Sequence, residues 1–185
     1  MDEIIRLSLP LKRDEVKKLK AGDRVLLNGP MFTGRDAAHK RLHELASDGK
    51  ALPISIQDET IFYVGPTPAP PGRPIGAAGP TTSYRMDRYA PLLLDRGLLG
   101  MVGKGLRSQE VKDAIVRNGA VYFGATGGSG ALLAKCIKSA EVVAYPELGT
   151  EAIRRIVVED FPVIVIIDSE GKDFYEIGPK QYARV

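Results

Sequence analysis

A chain of 185 residues with 44% apolar side chains is long enough for one domain, 1–185, with its own core, and a scattered net charge of +3 argues against a concentrated nucleic-acid-binding face. One cysteine, Cys136, excludes an internal disulfide and cannot by itself ligate zinc or an iron–sulfur cluster. No apolar run approaches the roughly 18 residues of a membrane span, and 1–9 lacks a signal-peptide core, so a cytoplasmic protein is expected.

Residues 4–9 alternate apolar and polar and predict a half-buried strand. A short helix over 14–19 and a strand over 24–27 come next, the strand entering the Gly29-Pro30 turn. Ala38, Leu42, Leu45 and Ala46 form a stripe at three- and four-residue spacing, which predicts a helix over 35–47 with Gly49 as its left-handed cap. A strand over 61–64 precedes a Gly- and Pro-punctuated loop over 65–80. The pattern over 85–96 is helical, with Pro91 tolerated near a first turn. A strand over 98–102 leads to Gly103-Lys104-Gly105, and Ser108 N-caps a helix through 117 that ends at Asn118-Gly119. A strand over 121–124 is followed by Gly127-Gly128-Ser129-Gly130, which opens a helix through 137. A strand is expected over 141–144, and Thr150 caps an expected helix through about 156. The β-branched run 163–167 predicts a central strand buried on both faces. Asp168-Ser169-Glu170-Gly171 then reads as a hairpin turn into a last strand over 174–177. Strands alternate with helices in the second half, while the first half and the tail carry strands without them. Together they predict a mixed α/β domain with a partly parallel sheet and an antiparallel layer.

Three loops share one character. Gly29-Pro30-Met31-Phe32-Thr33-Gly34-Arg35-Asp36, Gly79-Pro80-Thr81-Thr82-Ser83-Tyr84-Arg85 and Gly103-Lys104-Gly105-Leu106-Arg107-Ser108 each pair permissive glycine with a cation and a hydroxyl. Converging, they would form a pocket for a small molecule with more than one carboxylate. Arginine grips a carboxylate with a planar fork and lysine acts as a point charge, so Arg35, Arg85 and Lys104 are the candidate anchors. A third cation would also offset charge on an enolate-like intermediate. Thr81 or Thr82 acts as a base only if its own proton has an acceptor, and this loop has no histidine to receive it. Read singly, each loop is equally consistent with an ordinary turn whose hydroxyls bond the backbone. Gly127–Gly130 lacks the spacing of a phosphate or dinucleotide loop and reads as a tight turn. His39 and His43 read as surface or helix-packing residues, Cys136 as a small core residue, and Lys17, Lys18 and Lys20 as a solvated face.

The segments GPMFTGRDAAHKRL, GPTTSYRMD, MVGKGLRS, VYFGATGGSGALLAKCIKS and YPELGTEAIRRIVVEDFPVIVIIDSEGKDFY cover much of the chain. In these it resembles the β subunit, equivalent to the C-terminal domain, of class I iron–sulfur fumarate hydratases and the related L-tartrate dehydratases. One departure is Gly128-Ser129-Gly130, where relatives often carry a proline and alanines. The resemblance implies a swivelling β/β/α three-layer domain and reversible dehydration of a 2-hydroxy dicarboxylate such as malate. It implies a [4Fe–4S] cluster held by the cysteines of a partner α subunit. It places substrate ligands at Arg35, Arg85 and Lys104 and the base for the C3 proton at Thr81, with the proton passed to groups of the partner. Thr82 and Arg107 are candidates for support behind the ligands. An α/β hetero-oligomer is implied, with self-association of the isolated chain through its apolar face. The alternatives are an L-tartrate dehydratase β subunit and a non-catalytic carboxylate-binding or assembly module.

Overall fold

A computed structural model describes residues 4–183; the two ends of the expected 1–185 domain, 1–3 and 184–185, lie outside the described residues. The strands are β1 (Ile4–Ser8), β2 (Arg24–Thr33), β3 (Thr60–Phe62), β4 (Gly100–Gly103), β5 (Val121–Gly124), β6 (Ile137–Ala144) and β7 (Ile153–Ile167). The helices are α1 (Arg13–Val16), α2 (Asp36–Ser47), α3 (Ala90–Asp95), α4 (Gln109–Asn118), α5 (Gly130–Cys136) and α6 (Phe174–Tyr182), with a 3-10 turn at Ser83–Met86 and a 3-10 segment at Pro146–Glu151 that is kinked at Gly149.

One mixed sheet runs β1-β2-β3-β4-β5-β7-β6. Neighbours from β1 to β5 are parallel, and β7 is antiparallel to β2, β5 and β6. The mixed, partly parallel sheet expected from the sequence is therefore present. Because β2 also pairs with β7, the strands β2, β3, β4, β5 and β7 form a closed ring. Phe62 and Phe161 meet edge to face across it at 5.3 Å, among buried Leu27, Met31 and Phe123. The register of β2 and β7 shifts between Leu27 and Gly29. Gly29 sits at φ +120°, where a Cβ would lie 2.7 Å from the Leu9 carbonyl, so only glycine fits this bulge.

Five local expectations are corrected. The strand expected over 24–27 does not end in a Gly29-Pro30 turn: Gly29 is a bulge within β2, pairing with β7 continues to Phe32, and only Gly34-Arg35 leaves the sheet as a loop. No helix follows Thr150: a 3-10 turn ends at Glu151 and the chain enters the fifteen-residue β7. Ile153 and Ile156 have helical spacing, but Ile153, Ile156, Val157 and Val158 are β-branched, and ladders to β2 on one edge and β6 on the other satisfy their backbone. The segment after Asp168 is not a hairpin strand. Asp168 accepts the amides of Ala21, Glu170 and Lys172, and Asp173 then N-caps α6 by accepting from Tyr175 N at 2.9 Å. The run 163–167 is central, between β2 and β5, but not buried on both faces, since Ile164 is 38% exposed. The helix expected over 85–96 divides into the 3-10 turn and α3, with Pro91 in the first turn of α3.

Candidate active site

Strands β2, β3, β4 and β5 are parallel neighbours, so their carboxyl ends lie along one edge. In parallel α/β folds, closed as well as open, this edge is where ligands bind, because the loops leaving the strands gather there. Here those loops are Gly34-Arg35 entering α2, the stretch 63–82 after β3, Lys104-Gly105 after β4, and the turn before α5. The three cationic loops singled out in the sequence are thus gathered at one edge.

The Thr81 loop is held from three sides. Thr81 N donates to the Tyr63 carbonyl at 2.6 Å, Ser83 N donates to the Lys104 carbonyl at 2.8 Å, and Thr82 bridges to Lys104 in parallel. Ser83 is buried and its hydroxyl accepts from Tyr122 Oη at 2.9 Å. Beneath it Gly103 leaves no room for a side chain, since a Cβ there would lie 2.0 Å from Ser83 Oγ. The glycine turn before α5 supports the same loop. Ala78 N donates to the Gly130 carbonyl at 3.0 Å, and a Cβ on Gly130 would come within 2.9 Å of Gly79 N. Lys104 lies against Gly127, where a Cβ would meet its Cδ at 3.4 Å. The turn is thus a close-packing device, as the tight-turn reading expected. Lys104 also borders an apolar cavity of about 520 Å³ walled by Ile164, Ile166, Phe174 and Tyr175.

Arg35 and Arg85 meet at Asp36, a residue the sequence reading did not single out. Arg85 Nε donates to Asp36 Oδ1 at 2.9 Å and its Nη2 lies 2.9 Å from Oδ2. Arg35 Nε donates to Asp36 Oδ2 at 3.1 Å and lies 3.2 Å from Glu151 Oε1. The other oxygen of Glu151 accepts from Ala37 N at 2.7 Å, capping α2. Partial burial raises the Asp36 carboxyl, but its own amide, Arg35 and Arg85 outweigh this and hold it below the ordinary carboxylate range. Asp36 therefore ties the α2 loop to the Thr81 loop, and Arg35, Thr81, Arg85 and Lys104 belong to one connected constellation.

Behind it lies a buried polar layer. Arg107 is buried, its Nε donating to Asp87 Oδ1 at 2.7 Å and its guanidinium lying over the rings of Tyr63 (5.4 Å) and Tyr122 (4.9 Å). Asp87 Oδ2 accepts from Ser108 N at 2.6 Å. Arg107 supports the loops from inside and does not face the edge. His39 is buried against Tyr63, with Nδ1 3.0 Å from the Arg35 carbonyl, so it packs and is not at the surface. Burial, reinforced by Arg107, pushes its imidazole from 6.5 down to about 4. The unfolded chain thus binds a proton that the folded chain refuses between those values. The associated stability is complete above pH 6.5 and is lost as pH falls through about 4, on the order of 3 kcal/mol. Urea unfolding from pH 7 to 4.5 should show this slope, and His39→Phe should flatten it. An unchanged slope in the variant would rule His39 out as its source.

The chain's own residues do not fit an iron–sulfur cluster. Cys136 lies at the end of α5 remote from Gly130, its Sγ near the carbonyls of Leu132 and Asp160. Among the described residues no group of three His, Cys, Asp or Glu side chains is placed to hold a metal.

Residues 2–178 match the family described as Fumarase C-terminus. The chain is 45% identical over 176 residues to the anaerobic class I fumarate hydratase of Escherichia coli (strain K12), an alignment covering 93% of this chain and 32% of that protein. It is 41% identical over 165 residues to fumarate hydratase 2 of Leishmania major, covering 88% of this chain and 29% of that protein. It is 36% identical over 182 residues to the putative L(+)-tartrate dehydratase subunit beta of Methanocaldococcus jannaschii, covering 95% and 93%. The chain spans about a third of the length of these fumarate hydratases and nearly all of the tartrate dehydratase subunit. With a family match over residues 2–178 and relatives 36–45% identical over most of its length, the chain belongs to the fumarase C-terminus family.

Proposed function

We propose that this chain is the β subunit of a two-subunit hydro-lyase that interconverts malate and fumarate by reversible dehydration. The family supports a hydro-lyase role. The observation that carries the finer reading is the connected placement of Arg35, Arg85, Thr81 and Lys104 at the carboxyl edge of four parallel strands.

In this reading Arg35 and Arg85 bind one substrate carboxylate. Lys104 binds near the reacting carbons and offsets the negative charge that develops when the C3 proton leaves. Thr81 takes that proton while its own proton passes to a group of the α subunit, the acceptor its loop lacks. Class I fumarate hydratases are known for an iron–sulfur cluster. We place the [4Fe–4S] cluster on the α subunit, because a single cysteine cannot ligate it. Tyr84 and Leu106, both 64% exposed, flank Arg85 and Lys104 and support a partner docking over this edge; without it the isolated chain self-associates there. The reading takes 1–185 as a single swivelling β/β/α domain acting in the cytoplasm; no helix among the described residues is long and apolar enough to cross a membrane.

The test is anaerobic reconstitution with an α subunit and side-by-side assay of malate and L-tartrate. Malate turnover is expected only from the two chains together. Strong turnover by the isolated chain would overturn the division of labour. Preference for tartrate would move the substrate to that of the Methanocaldococcus relative's name, a distinction resting on one extra hydroxyl. Carboxylate binding with no turnover at all would favour the assembly-module reading.

A further inference from the structure

Arginine has five N–H donors in two usable faces: a side face, Nε with one Nη, and an end face, the two Nη groups together. The carboxylates at this site are distributed between those faces unevenly. Arg85 presents its side face to Asp36, through Nε at 2.9 Å and Nη2 at 2.9 Å. Arg35 is engaged through Nε alone, by Asp36 at 3.1 Å and Glu151 at 3.2 Å. Among the described residues, Nη1 of Arg85 and both Nη groups of Arg35 donate no hydrogen bond to protein. The two side chains are 41% and 25% exposed, so neither arginine is sealed inside the fold. Gly65 keeps the lane beside Arg35 open, since a Cβ there would lie 3.0 Å from both Cδ and Nη1.

We propose that Asp36 and Glu151 are positioning residues that hold Arg35 and Arg85 by their side faces and aim both end faces at a substrate carboxylate. The inference rests on the dicarboxylate reading of the site. A long, flexible arginine side chain loses rotamer freedom on binding. Fixing it beforehand makes binding tighter without a new contact to the ligand. The two carboxylates do this from rigid places. Asp36 is the first residue of α2, and Glu151 is fastened to the start of the same helix through Ala37 N at 2.7 Å. Glu151 comes from the segment that precedes β7, 114 residues from Ala37, so one end of β7 is coupled to the arginine pair. The opposite reading is that Asp36 is a competitor occupying a fork the substrate must win. The uncommitted end faces argue against it.

The experiment compares Asp36→Asn and Glu151→Gln with the wild type. Asparagine keeps the shape of Asp36 but cannot serve both arginines as a charged acceptor. Glutamine keeps an oxygen for Ala37 N and loses the charge facing Arg35. The first readout, on the full chain, is hydrogen exchange of the arginine Nε–H groups by ¹⁵N NMR. Exchange at Arg85 should quicken about tenfold in Asp36→Asn, and at Arg35 in both variants, as expected for a lost charge-assisted bond. The second readout is malate kinetics in the reconstituted complex. KM should rise about tenfold, with a smaller effect on kcat, the signature of lost binding common to ground and transition states. Unchanged Nε–H exchange overturns the proposal, as does a KM that stays level or falls, which is what a competitor role requires. Thermal unfolding close to wild type for Glu151→Gln guards against misreading a folding defect in Asp36→Asn. A wild-type complex that turns over neither malate nor tartrate refutes the proposed function. The exchange measurement still decides whether the two carboxylates hold the arginines.

Discussion

Thr81→Ala in the reconstituted enzyme is expected to lower kcat by about 10²–10⁴-fold, the range for losing a positioned proton-transfer group. KM should stay within about threefold, because the anchors would remain in place. The backbone of this loop does not depend on the threonine side chain. Thr81 is fixed by its amide on the Tyr63 carbonyl, and the next residues by Ser83 N on the Lys104 carbonyl and the Tyr122 hydroxyl on Ser83. Alanine thus removes a hydroxyl from an intact scaffold. Exchange of the malate C3 hydrogen with deuterated solvent reads proton abstraction apart from loss of water. It should fall in parallel with kcat in Thr81→Ala and recover in part in Thr81→Ser, which keeps the oxygen. A Thr81→Ala enzyme within about threefold of wild type in both measurements would remove Thr81 from the base role, since general-base losses are far larger.

Legibility in the sequence depended on how local the cause was. Helix α2 announces itself through the Ala38–Leu42–Leu45–Ala46 stripe and stands as expected; the glycine-bearing segments were conspicuous by composition, but Gly29–Thr33 is strand and not loop, because pairing with β7 carries β2 through the Gly29 bulge. The start of β7 was not legible. Its buried residues Ile153 and Ile156 fit a helix as well as a strand, and the choice is made by pairing with β2 and β6, strands more than a hundred and about fifteen residues away. The tail failed for a similar reason. Asp168-Ser169-Glu170-Gly171 is turn-forming as read, but Asp173, by capping α6, turns the next segment into a helix. At the site, the cations could be singled out by type and spacing, whereas Asp36 and Glu151 could not. Asp36 looks like an ordinary acidic residue in a first helical turn, and Glu151 acts on a helix 114 residues earlier in the chain. The motif words GRD and PELGTE therefore concealed an interaction between themselves.

Arg107→Met is expected to destabilise the folded chain by about 3–5 kcal/mol, the cost of breaking a buried ion pair from one side. Methionine fills much of the space but leaves Asp87, whose side chain is 11% exposed, without its cation. It also strips the cation from the faces of Tyr63 and Tyr122. Asp87 closes the 3-10 turn that carries Arg85, and its second oxygen holds the amide of Ser108 ahead of α4. Loosening it should therefore disturb the Thr81 loop before it disturbs the ring of strands. Urea unfolding measures the first effect, and amide hydrogen exchange over 81–87 the second. The double variant Asp87→Asn with Arg107→Met distinguishes a structural pair from a ligand-facing one. If the pair is internal, removing both charges costs less than the sum of the single variants, because no unpaired ion is left buried. Strict additivity, with stability within about 0.5 kcal/mol of the summed losses, would mean that the two residues do not act on each other and that Arg107 answers to something outside the fold.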